Sequence, residues 1–208
     1  MNSALRSRYL RVRSLAEAGR RREEAVRADL DRYLALAREF GAAAGRVLRR
    51  EDLRLDPRVR LKCQAPRCRH YGACGNCPPW APNLAESPEV VARYSWGLLL
   101  RWDGRASRAV YEAVSAVETA AFYDGYYLAA GFGSGSCRRY LCGNEPCRAL
   151  INPAEGCRFP LLARPSMEAA GFDAYAMALA AGWEIHPAGS HPPEEVPGLL
   201  ALALVLID

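Results

Sequence analysis

Lysine is almost missing from this chain. Lys62 stands alone among 208 residues, and arginine carries nearly all the positive charge. That bias is compositional and excludes no function. Other absences exclude more. The longest apolar run, LLALALVLI over residues 199–207, is about half a membrane span. The basic N-terminal stretch MNSALRSRYLRVRSLAEAG has no uninterrupted apolar core and does not read as a secretory signal. The expectation is therefore a soluble, cytoplasmic protein in a reducing compartment, where clustered thiols serve as ligands rather than disulfides. No aromatic residues interleave the arginines in the manner of a nucleic-acid surface. No Ser/His/Asp signature of a hydrolase appears, although such triads are set by geometry and not by spacing.

What is present is cysteine, in two runs and nowhere else. The first run holds Cys63, Cys68, Cys74 and Cys77 within LKCQAPRCRHYGACGNCPPWAP. The second holds Cys137, Cys142, Cys147 and Cys157 within SCRRYLCGNEPCRALINPAEGCRFP. Cysteines used only to fill a core would not segregate in this way. Two groups of four thiolates match the four ligands that a zinc ion or an iron–sulfur cluster requires. At 208 residues, 50% of them hydrophobic, the chain can also bury a core of its own, so metal need not be the only thing holding the fold.

The spacings bear on which metal. The first run reads C-x4-C-x5-C-x2-C followed by Pro78-Pro79; the second reads C-x4-C-x4-C-x9-C. Cys74 and Cys77 form a C-x2-C pair, which lets one turn present two thiolates to one metal. Proline directly after a cysteine is found in bacterial ferredoxin runs. A zinc ribbon would show two tight C-x2-C knuckles in each site, and neither run does. The patterns favour two [4Fe–4S] clusters over zinc. A purely structural metal stays open beside a redox one. The two spacings differ, so the runs are not a duplication.

Charge is unevenly spread. Residues 1–50 carry 13 arginines against 6 acids, whereas the whole chain has a net charge of only +5. The basic segment reads as a solvated helix face, or as a dock for an acidic partner. Residues 1–40 are expected to be an Arg-rich N-terminal helical segment, and residues 41–208 a single metal-binding domain.

The periodicities predict the elements. Val26, Leu30, Tyr33, Leu34 and Ala37 share one face of a helix over 20–40, with Gly41 as its stop. A further helix is expected over 4–17, with Gly19 between the two. Strands are expected at 45–48, 94–102 and 199–207, the last apolar throughout and hence central in a sheet. Ser107 is a candidate N-cap for a helix whose stripe is Val110, Val114, Val117, Ala121 and Leu128, running to about Ala130. Both cysteine runs are expected as loops, rich in glycine and proline. Ser166 and Asp173 start two short helices, the second ending near Gly182, and 186–197 is a Pro-rich loop. The pattern predicts an α/β or α+β fold, a layered sheet with flanking helices and two cysteine-rich metal-binding loops.

Other residues were weighed for chemistry. Gly131, Gly133 and Gly135 look like a phosphate loop, but they follow a helix where a nucleotide site needs a preceding strand. His70 lies inside the first run and can ligate metal or hydrogen-bond a sulfur. His186 and His191 are expected to face solvent. Tyr71 and Trp80 are expected to pack over the cysteines. Arg164 and Glu168 can bind an anionic ligand or pair with each other at a helix start.

Four signatures carry a family resemblance: VRLKC (59–63), Cys68 followed by HYG (70–72), CPPWAP (77–82) and ARPSMEAAGFDAYAMALAAGW (163–183). They resemble the predicted metal-binding proteins of the domain of unknown function 2284, over roughly residues 35 to 207. The resemblance implies cysteine-ligated metal, an iron–sulfur cluster by expectation, and no established reaction. The chain departs from the family pattern at Cys74, where that family carries another residue, in the looser second run, and at Arg158-Phe159-Pro160. With Cys74 set aside as a spare thiol, Cys63, Cys68 and Cys77 leave one iron open, as an enzyme with a small-molecule substrate requires. Alternatively a second-run cysteine completes the first site. The readings carried forward are an iron–sulfur protein in electron transfer with a redox partner protein, a zinc-bound interaction module, and an iron–sulfur enzyme.

Overall fold

The structure is a computed structural model that describes residues 11–18, 23–187 and 195–208. Its centre is a four-stranded antiparallel sheet of β1 (Ala44–Arg49), β2 (Trp96–Asp103), β3 (Ala130–Phe132) and β4 (Leu200–Ile207). The spatial order is β1-β2-β4-β3. β4 is an interior strand, as its unbroken apolar character predicts. It pairs along its whole length with β2, from Trp96 opposite Ile207 to Asp103 opposite Leu200. Its other edge takes the short β3, with Phe132 opposite Leu204.

Side-chain alternation explains why β4 has no polar face. Ala201, Ala203, Val205 and Ile207 pack into one core with Leu98 and Leu100 of β2. Leu202, Leu204 and Leu206 pack into a second core with Leu99 and Phe132. The period of two sends neighbours to opposite faces, and both faces are covered. The first face is covered by α2 (Glu23–Arg38) and α5 (Arg108–Tyr123), which follow the four-residue α1 (Leu15–Ala18) and the strands before them. The second face is covered by α8 (Met167–Ala170), α9 (Ala174–Ala180) and the short α4 (Pro88–Val91). The result is a mixed α/β fold in three layers.

The helices depart from expectation in instructive ways. α2 buries Leu30, Tyr33 and Ala37 as predicted, but also Asp29. α5 buries Val110, Val114, Val117 and Ala121, yet it ends at Tyr123. Leu128 therefore lies outside the helix and is exposed. The stop comes from Asp124, which turns inward, and from Gly125 at φ +94°, a conformation that glycine adopts without strain. Gly131 lies within β3 and Gly133 directly follows it, so a short strand and not a helix leads into these glycines. Ser166 and Asp173 do cap α8 and α9, accepting from the N–H groups of Ala169 and Ala176. Ser107 sits at the N-cap of α5 without its side chain accepting a bond. The predicted helix over 4–17 and its break at Gly19 fall partly outside the described residues; Leu15–Ala18 is helical. No helix among the described residues is long and apolar enough to cross a membrane.

Candidate metal centre

The first cysteine run is not wholly loop. Asp56 caps α3 (Pro57–Gln64), with Pro57 at its first turn, and Cys63 lies in the last turn of that helix. Arg60 locks α3 to the rest of the molecule. Its Nη1 donates to the carbonyls of Ala81, Pro82 and Ala169 at 3.0, 2.9 and 2.7 Å. The chain then turns through Cys68, Cys74 and Cys77 without further regular structure. The second run opens in α6 (Cys137–Leu141), passes through α7 (Arg148–Ile151) and a 3-10 turn at Pro153–Glu155, and reaches Cys157 in irregular chain.

The two runs meet. Cys74 lies 3.4 Å, sulfur to sulfur, from Cys137. Cys77 donates to Ser136 Oγ at 3.4 Å, and Asn76 Nδ2 donates to Cys137 Sγ at 3.6 Å. Cys74, Cys77 and Cys137 are buried in a small apolar cluster with Tyr111 and Leu141, and Tyr140 and Phe159 pack against it. A cavity of about 180 Å³ opens beside them, lined by five cysteines: Cys74, Cys137, Cys142, Cys147 and Cys157. Cys74 is thus no bystander to the second run, although its own run lies far earlier in the chain. Cys68 is exposed and Cys63 half-buried, and neither lines that cavity.

Backbone and arginine groups hold the sulfurs in place. The N–H groups of Gly75, Phe159 and His70 donate to Cys147, Cys157 and Cys68 at 3.5, 3.3 and 3.5 Å. Arg148 clamps the end of the second run, donating to the carbonyls of Gly156 and Cys157 at 3.0 and 2.9 Å. Arg158 donates to Pro146 O at 2.6 Å, and Arg138 to Glu145 O at 2.7 Å. All three arginines also line the cavity.

The thiols are inequivalent. Hydrogen bonds from Cys137 and Cys77 favour the Cys74 thiolate and hold its pKa well below the usual thiol value. Cys137 and Cys77, bonded to that thiolate and buried, are held above theirs. Burial raises Cys63, with help from the nearby charges of Cys68 and Glu168. Burial likewise raises Cys142, with Cys157 adding to it.

Of the buried side-chain atoms without a hydrogen bond among the described residues, two bear on the cysteines. His70 Nδ1 and Glu168 Oε2 are buried and have no hydrogen-bond partner. The histidine's other nitrogen accepts from Arg69 Nε at 3.3 Å. Burial lowers the His70 pKa, and Arg69 and Arg138 lower it further. An unpaired buried polar atom is costly and points to a missing partner.

Several expectations need correcting. Trp80 does not cover the cysteines; it is 59% exposed, with its Nε1 donating to Gly72 O at 3.3 Å. Tyr71 carries the Arg67 guanidinium over its ring. The covering aromatics are Tyr111, Tyr140 and Phe159, of which Tyr111 was legible as a neighbour on the α5 stripe. Arg164 does not pair with Glu168. It grips Glu118 with two bonds of 2.9 Å. Glycine at 131 permits this, since a Cβ there would sit 2.5 Å from Glu118 Oε2. Gly133 serves packing as well: a Cβ would lie 2.6 Å from the Tyr111 ring. His186 pairs with Glu184 at 3.0 Å, far in sequence from both runs, and His191 lies outside the described residues.

The donor chemistry fits a thiophilic metal. Five sulfurs, three arginines and no carboxylate line the cavity. Among the described residues, however, no three or more His, Cys, Asp or Glu side chains converge so as to hold a single ion. The donors ring a space and do not meet at a point. Residues 46–207 match the family described as predicted metal-binding protein (DUF2284). No curated protein and no solved structure matches the chain.

Proposed function

The chain belongs to the DUF2284 family of predicted metal-binding proteins, and from that premise we propose that its cysteines hold iron–sulfur clusters used in redox chemistry. The observation that carries this reading is the cavity of about 180 Å³ walled by five cysteines from both runs. Sulfurs spread around a cavity suit a multi-atom cluster, whose irons each take a different thiolate. In this reading Cys142, Cys147 and Cys157 hold one cluster, with Cys74 or Cys137 as the fourth ligand. Cys63, Cys68 and Cys77 belong to a neighbouring site.

When bound, such a cluster would supply one-electron chemistry. The chain's own residues set the conditions. The Gly75 and Phe159 N–H groups bond two of the sulfurs, and Arg138, Arg148 and Arg158 offset thiolate charge. Both effects raise a reduction potential. Tyr111, Leu141 and Phe159 exclude water from the inner sulfurs. The basic cavity wall suits an acidic redox partner protein.

One observation favours a second reading. Zinc holds thiolates at about 2.3 Å, so two tetrahedral ligands stand about 3.8 Å apart. The 3.4 Å between Cys74 and Cys137 is close to that edge and suits one shared ion. The test is purification without air. Brown protein with about four irons and matching sulfide per cluster is the expected result. Colourless protein with stoichiometric zinc would overturn the redox reading and install the second.

A further inference from the structure

The contact between the two cysteine runs supports chemistry besides metal binding. Cys74 Sγ and Cys137 Sγ stand 3.4 Å apart, although the residues are 63 positions apart in sequence. A disulfide bond is about 2.05 Å long, so closing one here takes a shift of roughly 1.4 Å. Neither residue sits in a strand that would resist the shift. Cys74 lies in irregular chain, and Cys137 is the first residue of the five-residue α6. Asn76 Nδ2 donates to Cys137 Sγ at 3.6 Å and so holds that sulfur against the first run.

The pair is buried but not sealed. Cys74 is 1% exposed and Cys137 6%, yet both line the cavity of about 180 Å³. A water molecule takes up about 30 Å³ of the liquid, so that space admits a molecule of two oxygens. Thiols placed in this way are sheltered from bulky oxidants and open to a peroxide. Other cysteines nearby are tied to other groups. Cys77, which shares the C-x2-C pair with Cys74, donates to Ser136 Oγ at 3.4 Å. Cys147 and Cys157 accept from the Gly75 and Phe159 N–H groups.

We propose that in the metal-free chain Cys74 and Cys137 close a reversible disulfide that shuts the second-run cavity to metal. The oxidant is hydrogen peroxide. One thiolate attacks a peroxide oxygen, the O–O bond breaks, and a sulfenic acid and hydroxide form. The second thiol then displaces the sulfenic hydroxyl as water, and the S–S bond forms. The hydroxide takes up the proton that the first thiol released. Two cysteines thus lose two electrons, and one peroxide becomes two waters. A dithiol reductant reverses the bond by exchange. The disulfide removes two of the five cavity thiolates at once. Cys142, Cys147 and Cys157 remain, one short of the four that a cluster needs. That consequence rests on the metal reading above; the disulfide itself does not. The second-run site then loads only while the pair is reduced.

The test uses the full chain, stripped of metal without air and then treated with hydrogen peroxide. Alkylation and digestion with trypsin should show residues 70–93 joined to residues 109–138, the peptides that hold Cys74 and Cys137. The link should vanish in Cys74→Ser and in Cys137→Ser and persist in Cys77→Ser. No link in the intact chain, or one that survives Cys74→Ser, would overturn the proposal. Should a variant lose its fold by circular dichroism, fragmentation of the linked peptides from the intact chain decides alone, and a bond at Cys77 overturns the pairing. Cobalt(II) reads the effect on metal. The reduced chain should show thiolate-to-cobalt charge-transfer absorption that loses intensity on oxidation and regains it with dithiothreitol. Absorption unchanged by oxidation would overturn the gate and leave the disulfide standing. A reduced chain without that absorption would overturn the metal reading and the gate together, while the peptide link still judges the disulfide.

Discussion

Two polar clusters stand out among the described residues, and they balance charge in different ways. One lies between α2 and the end of α5. There Asp29 and Asp124 meet Arg13 and Arg32: Arg13 reaches Asp29 at 2.7 Å and Asp124 at 3.7 Å, and Arg32 pairs with both acids. Tyr33 donates to Asp124 at 2.7 Å and Tyr126 to Asp29 at 3.3 Å. Among the described residues two anions face two cations, and two hydroxyls bond the acids. The other cluster is the cysteine centre, where thiolates, His70 Nδ1 and Glu168 Oε2 gather with too few partners of their own. A network whose opposite charges are paired within the protein does structural work. One that stays open asks for something from outside, and its stability is lower for it.

The comparison can be broken at its strongest point first. Removing one member of the ion network should be severe. Asp124→Ala leaves Arg32 buried without its main partner and should cost about 3–5 kcal/mol in urea unfolding. A loss below about 1 kcal/mol would mean that Asp124 is not the main partner of Arg32. Next comes Gly133→Ala, whose Cβ would press into the Tyr111 ring at 2.6 Å. Overpacking there should cost about 1–3 kcal/mol. It should also lower metal content by disturbing the wall behind Cys137; full metal content at reduced stability would separate the two roles of that loop.

The open cluster should respond with the opposite sign. In metal-free protein, Glu168→Gln removes the charge of a half-buried carboxylate with one unpartnered oxygen and should raise stability by up to about 1 kcal/mol. Lower stability of the metal-free variant would place Glu168 among the structural residues. The smallest effect concerns acid. Burial pushes Asp29 up, but the hydrogen bonds and charges of Arg13 and Arg32 outweigh it, so its pKa lies below the ordinary 3.8. A depressed carboxylate stabilises the fold above its unfolded pKa and loses that contribution as pH falls through the folded one. Stability should hold from neutral pH down to about 4 and fall only below it. A decline beginning near pH 6 would point to another group.

Much of the layered fold was legible because it depends on periodicity. The two-residue period of β2 and β4 and the stripes of α2 and α5 are local patterns, and they place the cores correctly. The end of α5 was not legible. Leu128 fits the stripe, but Asp124 is drawn into an ion network with partners some ninety residues away, and no local signal announces that. The cysteines were legible as donors, whereas their grouping was not. Spacing pairs Cys74 with Cys77, and the departure from the family pattern makes it look spare. Only the folded loops bring it against Cys137 and into the second-run cavity. Glu168 and Arg164 look like partners in the sequence because they are four apart. Glycine at 131 lets Glu118 take the arginine first, and that choice is three-dimensional.

β4 also has a temporal meaning. It follows both cysteine runs in the chain, yet it is the strand that joins β2 to β3 and carries residues of both cores. On a ribosome, every cysteine emerges before the strand that consolidates the sheet behind it. Domains fold as units once their elements are available. The thiols therefore spend synthesis unsheltered, and metal insertion competes with oxidation during that interval. The order of elements makes assembly of this protein sensitive to translation speed and to the thiol redox state around the nascent chain.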